Sequence, residues 1–246
     1  MDHEHGPIGG NVSDERIKEL IGPILRRVPT RKNQGYIDRL RRARSWMVAG
    51  DLHRDDLDIR FACYWIALNA MYGGFGTPAK STSPKEHPLD FVESDLRQFA
   101  GKICGLDRKK LIDTQIRGVR DDVAFVLRDK WHFPLYWSSG TTPRLESALR
   151  RIASEASSAL KAGRTTDYLA LVMGRVQDIR NHVFHGSATY RFSKNRGSVQ
   201  AATAILTALV PTFVQILESP WAESDVKWPS TINPGKWTPQ NPDSQG

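Results

Sequence analysis

The stretch between residues 55 and 72 constrains the fold most, because its apolar residues recur with the period of an α-helix. They are separated by one, three or four positions, so that they share one face of a helix. These residues are Leu57, Phe61, Tyr64, Trp65, Leu68, Met71 and Tyr72. A helix with such a wide apolar face needs other helices to cover it. We therefore expect it at the centre of a helical bundle.

The same period returns along most of the chain and predicts an all-α fold. Further helices are predicted at about 36–49, 89–104, 108–130, 143–162, 165–185 and 197–217. The helix at 143–162 would have Pro143 in its first turn and end at Gly163, and Thr165 or Thr166 would cap the helix that follows. With 246 residues, of which 39% are hydrophobic, the chain fits one domain with decorated ends. The predicted organisation is a disordered tail and accessory helix at 1–34, a helical bundle domain with four core helices at 35–218, and an extended tail rich in Pro and Trp at 219–246.

The last predicted helix, 197–217, carries no charged residue and has the length of a membrane span. It also contains Gln200, Thr203 and Thr207, and its larger apolar residues keep helical spacing. These features favour a buried bundle helix, so we expect no membrane partner. The N-terminus has no apolar segment of the secretory kind. Two cysteines in apolar helical patterns, Cys63 and Cys104, match no metal-ligand spacing, which favours a reduced cytoplasmic location.

The formal charge of +8 favours an acidic partner, and nucleic acid is the commonest one. Two basic or aromatic stretches leave alternatives open. The arginines of helix 36–49 form either a solvated face with helical ion pairs or a surface that follows phosphates; they are Arg39, Arg41, Arg42 and Arg44. The aromatic stretch 131–137 forms either a packed corner, which its lack of interleaved basic residues favours, or a platform for stacked bases.

Residues 178–186, with the sequence DIRNHVFHG, end the predicted helix 165–185 and form the candidate active site. At about 100° per residue, Arg180, Asn181 and His185 border one face, which also carries Gln177 and Phe184. An arginine, an amide and a histidine beside an aromatic ring can hold a phosphate and move protons next to it. The alternative is a solvated or interface pair at a helix C-terminus, where cations are favoured.

The motif resembles the signature of the HEPN (higher eukaryotes and prokaryotes nucleotide-binding) family. That signature is an arginine, then four to six residues of which the first is polar, then a histidine; here Arg180, Asn181 and His185 match it. A second stretch, 60–73, with the sequence RFACYWIALNAMYG, looks like the early bundle helix of Apea-like HEPN proteins. Together the two stretches imply a HEPN-type bundle over about 35–218.

The resemblance implies a metal-independent endoribonuclease that cleaves RNA through its 2′-OH, and a toxin or an effector of anti-phage defence. Arg180 would bind the phosphate, Asn181 would orient the substrate or the imidazole, and His185 would transfer protons. HEPN nucleases are dimers whose two motifs meet in one cleft, so a homodimer is implied, with a cognate inhibitor or sensor protein as a further partner. The chain has no Gly-rich phosphate loop, CxxC or HExxH motif, so we expect no metal and no other cofactor.

Four further residues are assigned to RNA binding and one to support of the site. Arg191, Lys194 and Arg196 follow the motif among aromatic residues, which favours contact with RNA, and His182 is a surface candidate for the RNA backbone. Asn69 lies at the edge of the buried face of helix 55–72, where it would tie helices together or support Arg180. The competing hypothesis is a non-catalytic helical module that binds RNA or a partner protein and dimerises through the same motif.

Overall fold

The computed structural model describes residues 34–73, 94–185, 190, 191, 193 and 196–222. Within these ranges all regular secondary structure is helical, which confirms the all-α prediction. The predicted tail and accessory helix before residue 34 and the tail from residue 223 onward lie outside the described residues. The helices of the described part are α1 (Gln34–Leu52), α2 (Leu57–Tyr72), α3 (Ser94–Leu106), α4 (Leu111–Gly118), α5 (Arg120–Arg128), α6 (Pro134–Ser139), α7 (Pro143–Lys161), α8 (Thr165–Phe184) and α9 (Arg196–Leu217).

Helix α9 lies in the middle of the bundle and packs against α1, α2, α3, α4, α5 and α8. Its Phe213 meets Phe99 of α3 edge to face, with ring centroids 5.4 Å apart. By length and composition α9 is the described helix that is apolar enough to cross a membrane, and 67% of its most apolar window is buried among the other helices. The buried position agrees with the prediction of a bundle helix.

Helices α1 and α2 pair closely, and Arg39 of α1 contributes to that pairing. Its buried guanidinium donates to the carbonyl oxygens of Met71 at 3.3 Å and Gly73 at 2.7 Å, at the C-terminal end of α2. The last carbonyls of a helix have no partner within the helix, and a guanidinium satisfies several of them at once. Arg39 therefore caps α2, whereas Arg41 and Arg42 are exposed.

The predicted helix 108–130 is two helices, α4 and α5, which are separated at Val119. The backbone of Val119 leaves the helical region, with φ −115° and ψ 27°, directly after Gly118, a residue of low helix propensity. Helix α4 begins late because the Asp107 carboxylate accepts hydrogen bonds from the backbone of Leu111 and Ile112, at 2.9 and 2.8 Å. Local capping thus overrides the continuous apolar pattern.

The boundaries of α7 follow the sequence signals, but the start of α8 does not. Pro143 occupies the first turn of α7, and Gly163, with φ +67°, follows its end, as predicted. The prediction that Thr165 or its neighbour caps α8 is wrong. Arg164 occupies the cap position, where its side chain accepts no hydrogen bond from the helix backbone and donates instead to the Asp167 carboxylate at 2.7 Å. The Thr165 hydroxyl donates to Asp113 of α4 at 2.6 Å.

The aromatic stretch 131–137 turns the corner between α5 and α6 and continues into α6, and its Trp131 is 48% exposed. His132 and Phe133 are buried, and Trp131 meets Tyr136 edge to face with ring centroids 5.0 Å apart. These contacts agree with the packed-corner interpretation.

The close approach of α1 and α2 at Gly50 can be tested with a matched pair of substitutions. A Cβ atom at Gly50 would lie 2.7 Å from Cδ2 of the buried Tyr64 ring. We expect Gly50→Ala to lower the free energy of unfolding by about 1–3 kcal/mol, because the ring must move. Gly105→Ala in α3, where a Cβ meets nothing within 4 Å, should be neutral or stabilising by up to about 1 kcal/mol. Urea denaturation measures both; equal effects would contradict the close packing.

Candidate functional site

The last turn of α8 brings together Arg180, Asn181 and His185. The Asn181 side-chain oxygen accepts a hydrogen bond from Nη1 of Arg180 at 3.0 Å, and its backbone carbonyl accepts from the backbone N–H of His185 at 3.0 Å. Arg180 and Asn181 are half-buried, whereas His185 caps the helix and is exposed. Asn181 therefore connects the other two residues and fixes one edge of the guanidinium.

The guanidinium of Arg180 lies against two aromatic rings. Its Cζ is 5.7 Å from the ring centroid of Trp65 and 4.8 Å from that of Phe184. Trp65 is 2% exposed, so that one wall is fixed by the core, while Phe184 is 40% exposed. Within the described residues no carboxylate lies within ion-pair distance of Arg180, and its Nε is buried without a hydrogen-bond partner. A cation placed in this way is suited to binding an anion.

A second arginine of α8, Arg175, is buried and has a carboxylate partner within the fold. Arg175 is 3% exposed, and its guanidinium donates to the Asp178 carboxylate and to the backbone carbonyl of Asp129. It also lies over the Phe133 ring, 4.8 Å from the centroid. The charge of Arg175 is therefore paired with a carboxylate within the fold, although its Nε, like that of Arg180, is buried without a hydrogen-bond partner among the described residues.

Behind the motif lies a buried group that the sequence did not single out. The Asp129 carboxylate accepts from His132 Nδ1 at 2.5 Å and from the backbone of Trp131 at 2.9 Å. The His132 ring meets the His182 ring edge to face, with centroids 5.3 Å apart. His182, expected at the surface, is half-buried. The only sequence signal for this pair was the Asp-x-x-His spacing at the end of a predicted helix.

The environment moves the pKa of both Asp129 and His182 below the ordinary value. Burial works to raise the pKa of Asp129, but the hydrogen bond and charge of His132 outweigh it. Burial is the largest cause that lowers the pKa of His182, and the charges of His132, Arg175 and His185 lower it further. Asp129 opposes them and does not prevail. His182 is therefore neutral at pH 7.

Three described residues that follow α8 in the sequence, at positions 190, 191 and 196, contact the start of α2. Arg191 Nη2 pairs with Asp56 at 2.8 Å, Arg196 Nη1 pairs with Asp58 at 2.7 Å, and the Tyr190 hydroxyl also donates to Asp56. The two arginines assigned to RNA binding therefore have carboxylate partners within the chain. An RNA phosphate would have to compete with those partners.

The other residues predicted for the site lie apart from it or outside the description. Lys194 lies outside the described residues. Gln177 is buried, and Asn69, expected at a buried edge, is exposed; in the described part of the chain no hydrogen bond joins it to Arg180 or His185. Sequence reasoning missed Trp65 as a site residue, although Trp65 lies in the second stretch that resembles HEPN proteins.

Metal-ligating residues do not converge in the described ranges. No group of three or more His, Cys, Asp or Glu side chains there could hold a metal ion.

Comparisons with known proteins do not assign the chain to a family. No protein-family model, no curated protein and no solved structure matches the chain. The resemblance to HEPN proteins therefore depends on the two sequence stretches alone.

The contacts of Asp56 predict a specific sensitivity of the fold to acid. Burial works to raise the pKa of Asp56, but hydrogen bonds from Tyr190, the Ile59 backbone and Arg191 outweigh it and hold the pKa below its usual value. Asp56 therefore stabilises the fold above about pH 3.9, the unfolded value, and this contribution is lost as the pH falls through the lower folded value. Asp56→Ala also removes the cap of α2 and should cost about 1–2 kcal/mol at pH 7.

Chemical denaturation from pH 7 down to pH 2 measures this contribution. The wild type should lose a component of stability at acid pH that Asp56→Ala lacks, whereas Asp55→Ala, at an exposed neighbouring position, should follow the wild type. Parallel curves for the wild type and Asp56→Ala would contradict the assignment.

Proposed function

We propose that this chain is a metal-independent endoribonuclease of HEPN type, in which the ribose 2′-OH attacks the adjacent phosphorus. The observation that supports this most is the half-buried Arg180, held between Trp65 and Phe184 without an acidic partner among the described residues and five positions before His185. A cation kept for an anion and a histidine beside it are what this reaction requires.

Arg180 suits the phosphate for geometric and electrostatic reasons. Its planar fork stays charged and binds two oxygens at once. Asn181 and the aromatic rings hold the plane of the guanidinium before the substrate arrives, so little reorganisation is needed. The negative charge that grows on the phosphoryl oxygens during the reaction would thus meet a cation already in position.

His185 suits proton transfer because it is exposed at the end of α8, where RNA can reach it. Histidine is the side chain that changes its charge nearest to neutral pH. In the proposed step the O2′–P bond forms and the P–O5′ bond breaks. The products are a 2′,3′-cyclic phosphate and a 5′-OH, and the two protons involved need an acceptor and a donor.

The biological setting follows from the resemblance and from charge, and is part of the proposal. RNA fits the formal charge of +8. A cytoplasmic toxin or antiviral defence effector of this kind would act as a homodimer and be held in check by a cognate inhibitor or a sensor protein.

One observation favours a second candidate function. Phe184 leaves 40% of its surface exposed directly beside the motif, and an exposed aromatic residue next to a cation is a common feature of protein interfaces. A non-catalytic module that binds RNA or a partner, and dimerises through the motif, would use the same residues.

Cleavage of RNA in the presence of a chelator separates the two functions. We expect fragments that end in a 2′,3′-cyclic phosphate or 3′-phosphate and begin with a 5′-OH, and no cleavage of DNA, which lacks the 2′-OH. His185→Ala should lose roughly 10²–10⁴-fold activity, since one acid-base group is removed, and Arg180→Ala roughly 10²–10³-fold. Gel analysis of end-labelled RNA, with thermal melting of each variant, measures these effects.

Two exposed residues of the same types provide controls. Arg41→Ala and His53→Gln, both away from the motif, should retain full activity. Loss of cleavage with chelator, fragments with 5′-phosphate ends, or full activity in both motif variants would overturn the nuclease and leave the binding module.

The carboxylate partners of the loop arginines allow a separate test of the RNA path. If Arg196 contacts RNA, Asp58→Asn frees it and should strengthen binding and steepen the salt dependence. Arg196→Ala should weaken binding and lower the slope of log K against log salt by about 0.7–0.9. Asp55→Asn removes an exposed acid that pairs with no arginine in the described residues and controls for net charge. Equal weakening by Asp58→Asn and Arg196→Ala would show that the pair serves the fold alone.

A further inference from the structure

Phe184 helps to hold the Arg180 guanidinium, and yet much of its ring is open to solvent. The large apolar residues of α8 from Leu169 to Ile179 are buried, whereas Phe184 at the end of the helix is 40% exposed. A phenylalanine ring that stays partly in water loses part of the free energy that burial would give. The open part of this ring is therefore available to a ligand of the site.

The ring and the cation lie on the same face of α8. Phe184 follows Arg180 by four positions, a spacing that brings two side chains together on a helix. The Cζ atom of Arg180 lies over the ring, 4.8 Å from its centroid. The second ring near the guanidinium, that of Trp65, is only 2% exposed. Of the two rings, Phe184 is the one that a ligand can reach.

These two groups match the two chemical parts of a nucleotide. A guanidinium binds phosphate oxygens, and an aromatic ring holds a base by stacking. Among the described residues no carboxylate lies within ion-pair distance of Arg180, so an anion displaces no acidic partner there. The exposed Tyr190 differs, because it donates to Asp56, which also pairs with Arg191, the cation over its ring.

The surroundings of the ring favour a base over an apolar protein surface. Within α8, all of which the structure describes, Phe184 is the one exposed large hydrophobic residue. Arg180, Asn181 and His185 place polar groups at the same helix end. The core of a protein interface consists of several apolar residues that are buried together, whereas a stacked base needs one ring and a cation for the backbone.

We propose that Phe184 stacks on the base of a nucleotide next to the scissile phosphate, while Arg180 binds that phosphate. This inference rests on the proposed ribonuclease function and adds a substrate requirement to it. In a duplex each base is paired and stacked between its neighbours, so the ring can reach only an unpaired base. Because every base has a π-face, Phe184 selects an unpaired base and not a particular sequence.

An abasic nucleotide separates stacking from every other role of the ring. It keeps the ribose, the 2′-OH and the phosphate and lacks only the base, so Arg180 has the same phosphate to bind. If Phe184 acts by stacking, removal of the base and removal of the ring abolish one and the same contact, and the two losses do not add. If Phe184 acts only by holding Arg180 or by stabilising the fold, the two losses are independent and multiply.

The cycle uses a short single-stranded RNA with one cut site, in which each position is made abasic in turn. The wild type should lose roughly 5–150-fold in kcat/KM when the base on one side of the cut is missing, which corresponds to one stacked base. Phe184→Leu should show the same loss on intact RNA and no further loss on that abasic RNA. Phe184→Tyr, which keeps a ring, should restore the sensitivity to the missing base.

Phe125→Leu is the matched control for the loss of an exposed phenylalanine. Phe125 is 50% exposed and lies next to Gly197 of α9. Its substitution should leave both the rate on intact RNA and the sensitivity to the missing base unchanged. Thermal melting of each variant shows that the fold is retained.

Binding gives a second measurement that does not need cleavage. RNA with fluorine in place of every 2′-OH has no attacking hydroxyl, so fluorescence anisotropy gives its Kd with the wild type and each variant. The coupling between Phe184→Leu and one abasic position should appear in Kd as well. A duplex of the same sequence should bind the wild type and Phe184→Leu equally, because its bases are covered.

The outcomes separate this inference from the nuclease proposal. Suppose that Arg180→Ala and His185→Ala abolish cleavage. If Phe184→Leu then cuts intact RNA at the wild-type rate, or loses the same factor on intact and on every abasic RNA, stacking is overturned and the nuclease stands. An equal loss on all RNAs together with a changed mass in light scattering assigns the ring to a protein interface instead. If the wild type does not cut RNA, the nuclease falls, and the coupling in Kd decides whether Phe184 stacks on a base.

Discussion

The burial of helix α8 along most of its length is the constraint on which the site depends. Eleven of its residues, from Tyr168 to Ile179, are buried against neighbouring helices that include α3 and α7. A helix held in this way cannot rotate, because turning it would expose apolar residues and bury polar ones. The direction of Arg180, Asn181 and His185 is therefore set by the core, although these residues lie where the core ends.

The corner between α5 and α6 extends this constraint to the imidazoles. Asp129 ends α5, His132 follows it, and both touch groups on α8 or α9 through hydrogen bonds and ring contacts. Buried ionic groups are expensive unless they are paired and hydrogen-bonded. This one is paired, and the hydrogen bond to Asp129 fixes the orientation of the His132 ring, against which the His182 ring packs.

The sequence predicted those parts of the fold that depend on periodicity, and missed those that depend on contacts between distant residues. Helical spacing found α2, α7, α8 and α9 with ends close to those observed. The break at Val119 depends on local backbone and capping terms that the apolar pattern hides. Contacts between residues far apart in the sequence could not be predicted. Arg39 of α1 contacts the end of α2, and Trp65 of α2 contacts Arg180 of α8, only because the fold brings these helices together.

The same distinction explains the candidate site. Arg180, Asn181 and His185 were found because a short motif on one helix places them together by its spacing alone. His182 was assigned to the surface because helical projection shows which way a side chain points and not what covers it. The pairing of Arg191 and Arg196 with Asp56 and Asp58 could not be seen, since more than 130 positions separate the partners.

The arginines of the fold differ in whether they have a carboxylate partner, and this difference bears on function. Arg44, Arg164 and Arg175 each have a carboxylate partner within the fold. A carboxylate beside Arg180 would pair its charge in the same way. In the described part of the chain the Arg180 guanidinium has aromatic rings and one amide oxygen instead. Proteins depart from local optimisation of this kind mainly where a ligand completes the site, and a guanidinium fixed on aromatic rings is completed by an anion.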